Sequence, residues 1–202
     1  MSIEVKISNK RVNYKKAMYI LEKRVENVKK GLKKEFIWIL EHPTTFTGGI
    51  RSKESEILDK RIKVVKTNRG GKITLHNPGQ RIIYFVINLN ERKKDIRLFI
   101  NTIEKSIIEV LNKYNIKAYS DRKNIGIWVK NKKISAIGIR VKKWIAYHGF
   151  SININNDLNK YKAIVPCGIN DKGVTSLEKI NKQSYKNFDK KLIENFILNL
   201  KN

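Results

Sequence analysis

The chain has one cysteine, Cys167, and three prolines in 202 residues. A lone cysteine excludes an intramolecular disulfide framework and any zinc site built on cysteine pairs, and it suits a reducing compartment. No stretch approaches the roughly 18 apolar residues of a membrane span, and the start, Met1 to Lys6, lacks the apolar run of a signal peptide. A cytoplasmic protein without a membrane partner is expected. Neither a Gly-x-Gly-x-x-Gly fingerprint nor a P-loop is found, since no Gly-Lys-Ser/Thr closes the Arg69-Gly70-Gly71 turn. Acidic residues are scarce: 18 Asp and Glu stand against 44 Lys and Arg, a formal charge of +26. This excludes acidic-tail and neutral-scaffold readings and implies a negatively charged partner, without choosing among nucleic acid, anionic lipid and acidic protein. Because the excess is mostly Lys scattered beside abundant Ile and Asn, a genome-wide compositional bias is an alternative source of the charge, and the charge is discounted accordingly. With no helix-turn-helix, zinc or aromatic stacking pattern, nucleic acid is not the expected partner.

What is present suffices for one ordinary domain over residues 1–202, at 41% hydrophobic residues. Met18, Leu21, Val25 and Val28 recur at helical spacing between Asn13 and Lys30, with Gly31 as a stop. Phe36 to Leu40 is a short branched and aromatic run before His42-Pro43 and reads as a buried strand; Arg81 to Asn88 is a second apolar run. Asp95 to Tyr114 carries Leu98, Phe99, Ile103, Ile107, Val110 and Leu111 on one side, with Asp95 as N-cap. Asn124 to Val129, Lys133 to Val141 and Trp144 to Ile154 read as strands joined in antiparallel hairpins, and Asp189 to Leu200 as a final helix. The fold class is α/β (α+β), with a mixed, largely antiparallel sheet flanked by helices.

Reactive residue types sit beside Gly and Pro, where backbone can approach a ligand closely. His42 precedes Pro43, His76 lies between Arg69-Gly70-Gly71 and Asn77-Pro78-Gly79, and His148 precedes Gly149. Cys167 lies between Pro166 and Gly168, on a turn whose following N–H could meet a developing oxyanion; a small buried apolar cysteine is the plainer reading. A Cys–His or a Cys–Lys pair is equally allowed. The two glycine turns around residues 69–79 bracket a short strand, as a pocket wall would. From composition alone, Lys133 is one lysine among many.

Taken in order, four segments resemble the octanoyltransferases of lipoate biosynthesis: Leu40-Glu-His-Pro-Thr-Thr-Phe-Thr-Gly48, Arg69-Gly-Gly-Lys-Ile-Thr-Leu-His-Asn-Pro-Gly-Gln80, Lys133-Ile-Ser-Ala-Ile-Gly-Ile-Arg140 running to Tyr147-His-Gly149, and Ile164-Val-Pro-Cys-Gly168. The resemblance covers roughly residues 35–180. It implies the fold of biotin and lipoate protein ligase catalytic domains. It also implies transfer of an octanoyl group from octanoyl-acyl carrier protein to a lysine on lipoyl domains of 2-oxoacid dehydrogenases and the glycine-cleavage H protein, with no metal or cofactor. By the same resemblance Cys167 is the acyl-accepting nucleophile and Lys133 its activating partner. The acyl chain would lie among Arg69, Gly70, Gly71, Lys72, Ile73, Thr74, Leu75 and His76, Ala136, Ile137 and Gly138, and Gly149, Phe150 and Ser151. Three positions depart from the pattern: the family usually has Tyr at Phe46 and Leu75 and Gly at Asn77.

A thiol nucleophile and a thioester donor make the first step a near-isoenergetic exchange that needs no ATP. An ATP-dependent lipoate or biotin ligase, which needs no cysteine, is the alternative on the same fold. A non-catalytic basic binding module is the alternative of another class.

Overall fold

The computed structural model describes residues 2–166 and 173–201. In chain order its elements are β1 (Ile3–Ile7), α1 (Tyr14–Lys29), β2 (Glu35–Leu40), β3 (Thr45–Gly48), β4 (Val64–Lys66), β5 (Ile73–His76), β6 (Gln80–Asn88), α2 (Ile96–Asn112), β7 (Tyr119–Ser120), β8 (Ile127–Val129), β9 (Lys132–Lys142), β10 (Ile145–Asn153), β11 (Gly173–Val174), α3 (Leu177–Ile180) and α4 (Phe188–Asn199). The larger sheet runs β1-β2-β6-β10-β9-β8-β7, with β11 beside β9, and a smaller sheet runs β4-β3-β5. The pairs β1–β2, β3–β4 and β9–β11 are parallel and the remaining pairs antiparallel.

Strand alternation explains how the larger sheet is covered on both faces. Every residue of β2 is buried, because successive side chains point to opposite sides. Phe36, Trp38 and Leu40 join Ile82, Tyr84 and Val86 of β6 under Ala17, Leu21, Val25 and Val28 of α1. Ile37 and Ile39 join Ile83, Phe85 and Ile87 under Phe99, Ile103 and Ile107 of α2 and Leu192 and Phe196 of α4. Asn13 caps α1 by accepting from the Lys16 amide at 3.3 Å, and Asp95 caps α2 by accepting from the Leu98 amide at 3.0 Å. A third cluster, Ile73, Leu75, Tyr161 and Ile164, holds the smaller sheet to the segment that leads to Pro166. Among the described residues no helix is long and apolar enough to cross a membrane.

Candidate active site

A cavity of about 510 Å³ lies between the α1-side face of the larger sheet and β5 of the smaller one. Its walls include Arg69, Gly70, Gly71, Lys72, Thr74 and His76 from the turn before β5 and from β5 itself. Ala136, Ile137 and Gly138 of β9, Gly149, Phe150 and Ser151 of β10, and Lys133 complete the expected set that the cavity brings together. Ile73 and Leu75 lie elsewhere. They alternate to the other face of β5 and pack with Tyr161 and Ile164, so the run 69–76 lines the cavity only at the positions strand geometry turns inward. Cys167 lies outside the described residues.

The turn at residues 69–71 is clamped from both sides. Gly70 donates its N–H to the Ile139 carbonyl of β9 at 3.0 Å, Ile50 donates to the Arg69 carbonyl at 3.0 Å, and Arg51 donates to the Gly71 carbonyl at 3.1 Å. A Cβ at Gly70 would stand 2.8 Å from the Ile139 oxygen, so the close approach requires glycine. The Arg69 side chain, 8% exposed, donates to the Gly70 carbonyl at 3.0 Å and to the carbonyl and hydroxyl of Thr47 at 2.8 and 2.9 Å. Those bonds fasten the turn to β3, which makes Arg69 a builder of the wall as well as part of it.

Lys133 is buried while its neighbour Lys132 is exposed. Lys133 Nζ donates to the Ile125 carbonyl at 3.1 Å and lies 4.7 Å from the centre of the Trp128 ring, a cation–π arrangement. Trp128 is itself oriented by donating its indole N–H to the Asn124 carbonyl at 2.9 Å. Gly126 has φ of 136°, and a Cβ there would stand 3.2 and 3.3 Å from Lys133 Cε and Nζ and 2.6 Å from the Ser135 carbonyl. Only glycine leaves this path for the lysine side chain. The backbone of Lys133 is held on both edges, pairing with Trp128 of β8 and Val174 of β11.

The three histidines converge on this region in fixed neutral forms. His42 donates through Nδ1 to the Val12 carbonyl at 2.6 Å, so Nε2 accepts from the Tyr84 hydroxyl at 2.8 Å. Gln80 gives its amide N–H groups to Leu75, Asn153 and Tyr161 and turns its oxygen to His76 Nδ1 at 2.8 Å, which must donate. Asn68 donates to Glu22 at 3.2 Å, so its oxygen accepts from His148 Nε2 at 2.6 Å. Burial pushes all three imidazoles down, His42 to about 4 and His76 and His148 to about 3. For His76 the neighbouring His42, and for His148 the Arg69 guanidinium, adds to the effect. At neutral pH they serve as uncharged hydrogen-bonding groups.

Residues 13–197 match the model of the lipoyl protein ligase A/B catalytic domain. The chain belongs to that family. It is 45% identical over 201 residues to the octanoyltransferase of Ehrlichia chaffeensis, covering 96% of this chain and 94% of the relative. With that of Anaplasma phagocytophilum it shares 40% over 203 residues, covering 97% and 98%. Octanoyl transfer in protein lipoylation, an acyltransferase activity, is the family function it carries. The fold is shared with solved structures: Ta0514 of T. acidophilum, whose structure holds bound lipoic acid, superposes with a TM-score of 0.81 at 16% identity over 100% of this chain and 87% of that one. Lipoate-protein ligase A bound with ATP superposes at 0.76 and 16% identity, over 98% and 86%.

Tyr14, Tyr84, His148, Arg51 and the turn residues Arg122, Lys123, Asn124 and Ile125 also line the cavity. Tyr14, Tyr84, Arg51 and the 122–125 turn lie outside the four motifs, so no motif marks them as lining residues. His148 was visible as a scarce residue next to glycine, and only the tertiary Asn68 contact gives it a place in the wall.

Proposed function

We propose that the octanoyl donor is a thioester on acyl carrier protein, that Cys167 takes the octanoyl group as a thioester, and that Lys133 moves the protons of both steps. The acceptor is the lysine of lipoyl domains of 2-oxoacid dehydrogenases and the glycine-cleavage H protein. The observation that carries the reading is the burial of Lys133, with its Nζ anchored to the Ile125 carbonyl, in the wall of a cavity floored by Ala136 and Gly138. The backbone adds support: Gly173 and Val174, six and seven residues after Cys167, pair with Lys132 and Lys133.

A cation beside a thiol favours the thiolate. In the first step the Cys167 thiolate attacks the thioester carbonyl; the C–S bond to the carrier breaks and the departing thiolate takes a proton from Lys133. In the second step the acceptor amine attacks the Cys167 thioester, neutral Lys133 takes the amine proton, and the C–S bond to Cys167 breaks to return the thiolate. The acyl chain lies over Ala136, Gly138, Gly149 and Ser151. The same fold holds lipoic acid in Ta0514, and in Thermoplasma acidophilum it belongs to a bi-partite lipoate protein ligase described together with its E2 lipoyl domain. Incubating the protein with octanoyl-acyl carrier protein and an apo lipoyl domain, without ATP, should give an octanoyl amide on the acceptor lysine. A strict requirement for ATP and free octanoate would overturn the reading in favour of a ligase.

A further inference from the structure

Acyl transfer of a neutral chain does not explain the charge around the cavity. Six lining residues are cationic, among them Arg51, Arg122 and Lys123, and none is acidic. The lysine-rich composition accounts for this poorly, because arginine is the concentrated residue: three of the ten arginines, Arg51, Arg69 and Arg122, line this one cavity. Most arginines elsewhere meet carboxylates, as in Arg24–Glu4 at 2.7 Å, Arg61–Asp59 at 2.9 Å, Arg81–Glu41 at 3.1 Å and Arg92–Glu35 at 2.6 Å, whereas Arg140 donates to the Asn68 carbonyl at 3.2 Å. Arg122 has no such partner among the described residues. The nearest acid in sequence, Asp121, accepts from the amides of Lys123 and Asn124 and from the Asn124 side chain.

Arg122 and Lys123 are exposed and lie on the turn whose Ile125 carbonyl holds Lys133, so they stand where a donor must pass when its thioester reaches Lys133. Guanidinium groups read phosphate oxygens through paired N–H bonds. We propose that Arg122, with Lys123, forms a phosphate subsite for the prosthetic arm of the thioester donor. This rests on the thioester-donor reading above, with the acyl chain on the Gly138 side and the arm leaving past residues 121–126. The ligand chemistry is a phosphate ester on a pantetheine-type arm, carried by a protein or by coenzyme A.

The test compares octanoyl-pantetheine with octanoyl-4′-phosphopantetheine, which differ only in the phosphate. Wild type should prefer the phosphorylated thioester by about tenfold or more in kcat/KM, the scale of one hydrogen bond to a charged group. The Arg122→Gln/Lys123→Gln variant should bring that ratio close to one, while Arg97→Gln, an exposed change on α2, should keep it. Octanoyl-carrier protein and octanoyl-coenzyme A then identify the source: the native donor is the better wild-type substrate and loses more in the double variant. Equal use of the two pantetheine thioesters by wild type would overturn the subsite while leaving the thioester-donor reading standing. A double variant whose defect lay wholly in KM for the acceptor domain would overturn it as well. Turnover of neither thioester would overturn the underlying reading.

Discussion

Lys133 donates to the carbonyl of Ile125 at 3.1 Å, and the space that lets it do so belongs to Gly126 between that carbonyl and the Trp128 ring. Exchange of Gly126 for Ala places a methyl 3.3 Å from Nζ and 2.6 Å from the Ser135 carbonyl, in a backbone conformation that side chains rarely adopt. Displacement of a reacting group by about 1 Å costs on the order of 10²-fold in rate. Octanoyl transfer by Gly126→Ala should fall by about that factor, with thermal unfolding still cooperative and the alkylation rate of Cys167 slowed near neutral pH. Transfer and alkylation at wild-type rates would show that Lys133 does not depend on this path.

Adjacent lysines should behave differently. Lys133→Met removes a buried group and should reduce transfer by roughly 10²-fold or more, the range of an acid/base residue. Lys132→Met removes an exposed charge and should leave the rate within about twofold, as a rim charge would. Equal losses in single-turnover assays would point to a general charge effect.

The buried histidines make folding stability depend on pH. Their protons bind near 6.5 in the unfolded chain but only near 4 for His42 and near 3 for His76 and His148 in the folded one. Between those values the unfolded state holds more protons, so the stability they contribute is fully present above pH 6.5 and is lost as pH falls toward 4. Each can contribute a slope of up to about 1.4 kcal/mol per pH unit. Urea unfolding between pH 7.5 and 5.5 should show stability falling below 6.5, and His42→Gln should flatten the slope by about one histidine. Stability constant across that range would contradict the neutral assignment.

Small residues on β9 should set how long a chain the cavity accepts. Ala136→Leu adds bulk to the floor and should shift the preferred donor from octanoyl to a shorter acyl group. A single methylene in an apolar pocket is worth about 10-fold or more in discrimination. Profiles of kcat/KM from butanoyl to dodecanoyl thioesters measure this; an unchanged profile would place the acyl chain elsewhere.

The long elements were legible because their periodicity reports burial directly: α1, α2, α4 and the hairpin of β9 and β10 stand where the apolar spacing puts them. The parallel pairs were not. Ile3–Ile7 has only one buried neighbour strand and exposes Val5 and Ile7, so it carries no clear alternation, and Gly173–Val174 is too short to carry any. At the site, the motifs located most of the cavity wall but treated the run 69–76 as continuous, although strand alternation sends Ile73 and Leu75 into a different cluster. Gly149 looked like a point of ligand approach, and in the fold a side chain there would also collide with the Ile83 carbonyl of β6. The Asn68 tie to His148 and the Gly126 path to Lys133 join residues far apart in sequence or through backbone geometry, which spacing cannot reveal.

Intact mass after mixing with octanoyl-acyl carrier protein, in the absence of acceptor, tests the covalent step most directly. The wild-type chain should gain one octanoyl group that hydroxylamine removes and peptide mapping assigns to Cys167, and Cys167→Ala should gain none. An unmodified wild-type chain that still turns over, or a Cys167→Ala variant with wild-type transfer, would contradict the acyl-enzyme.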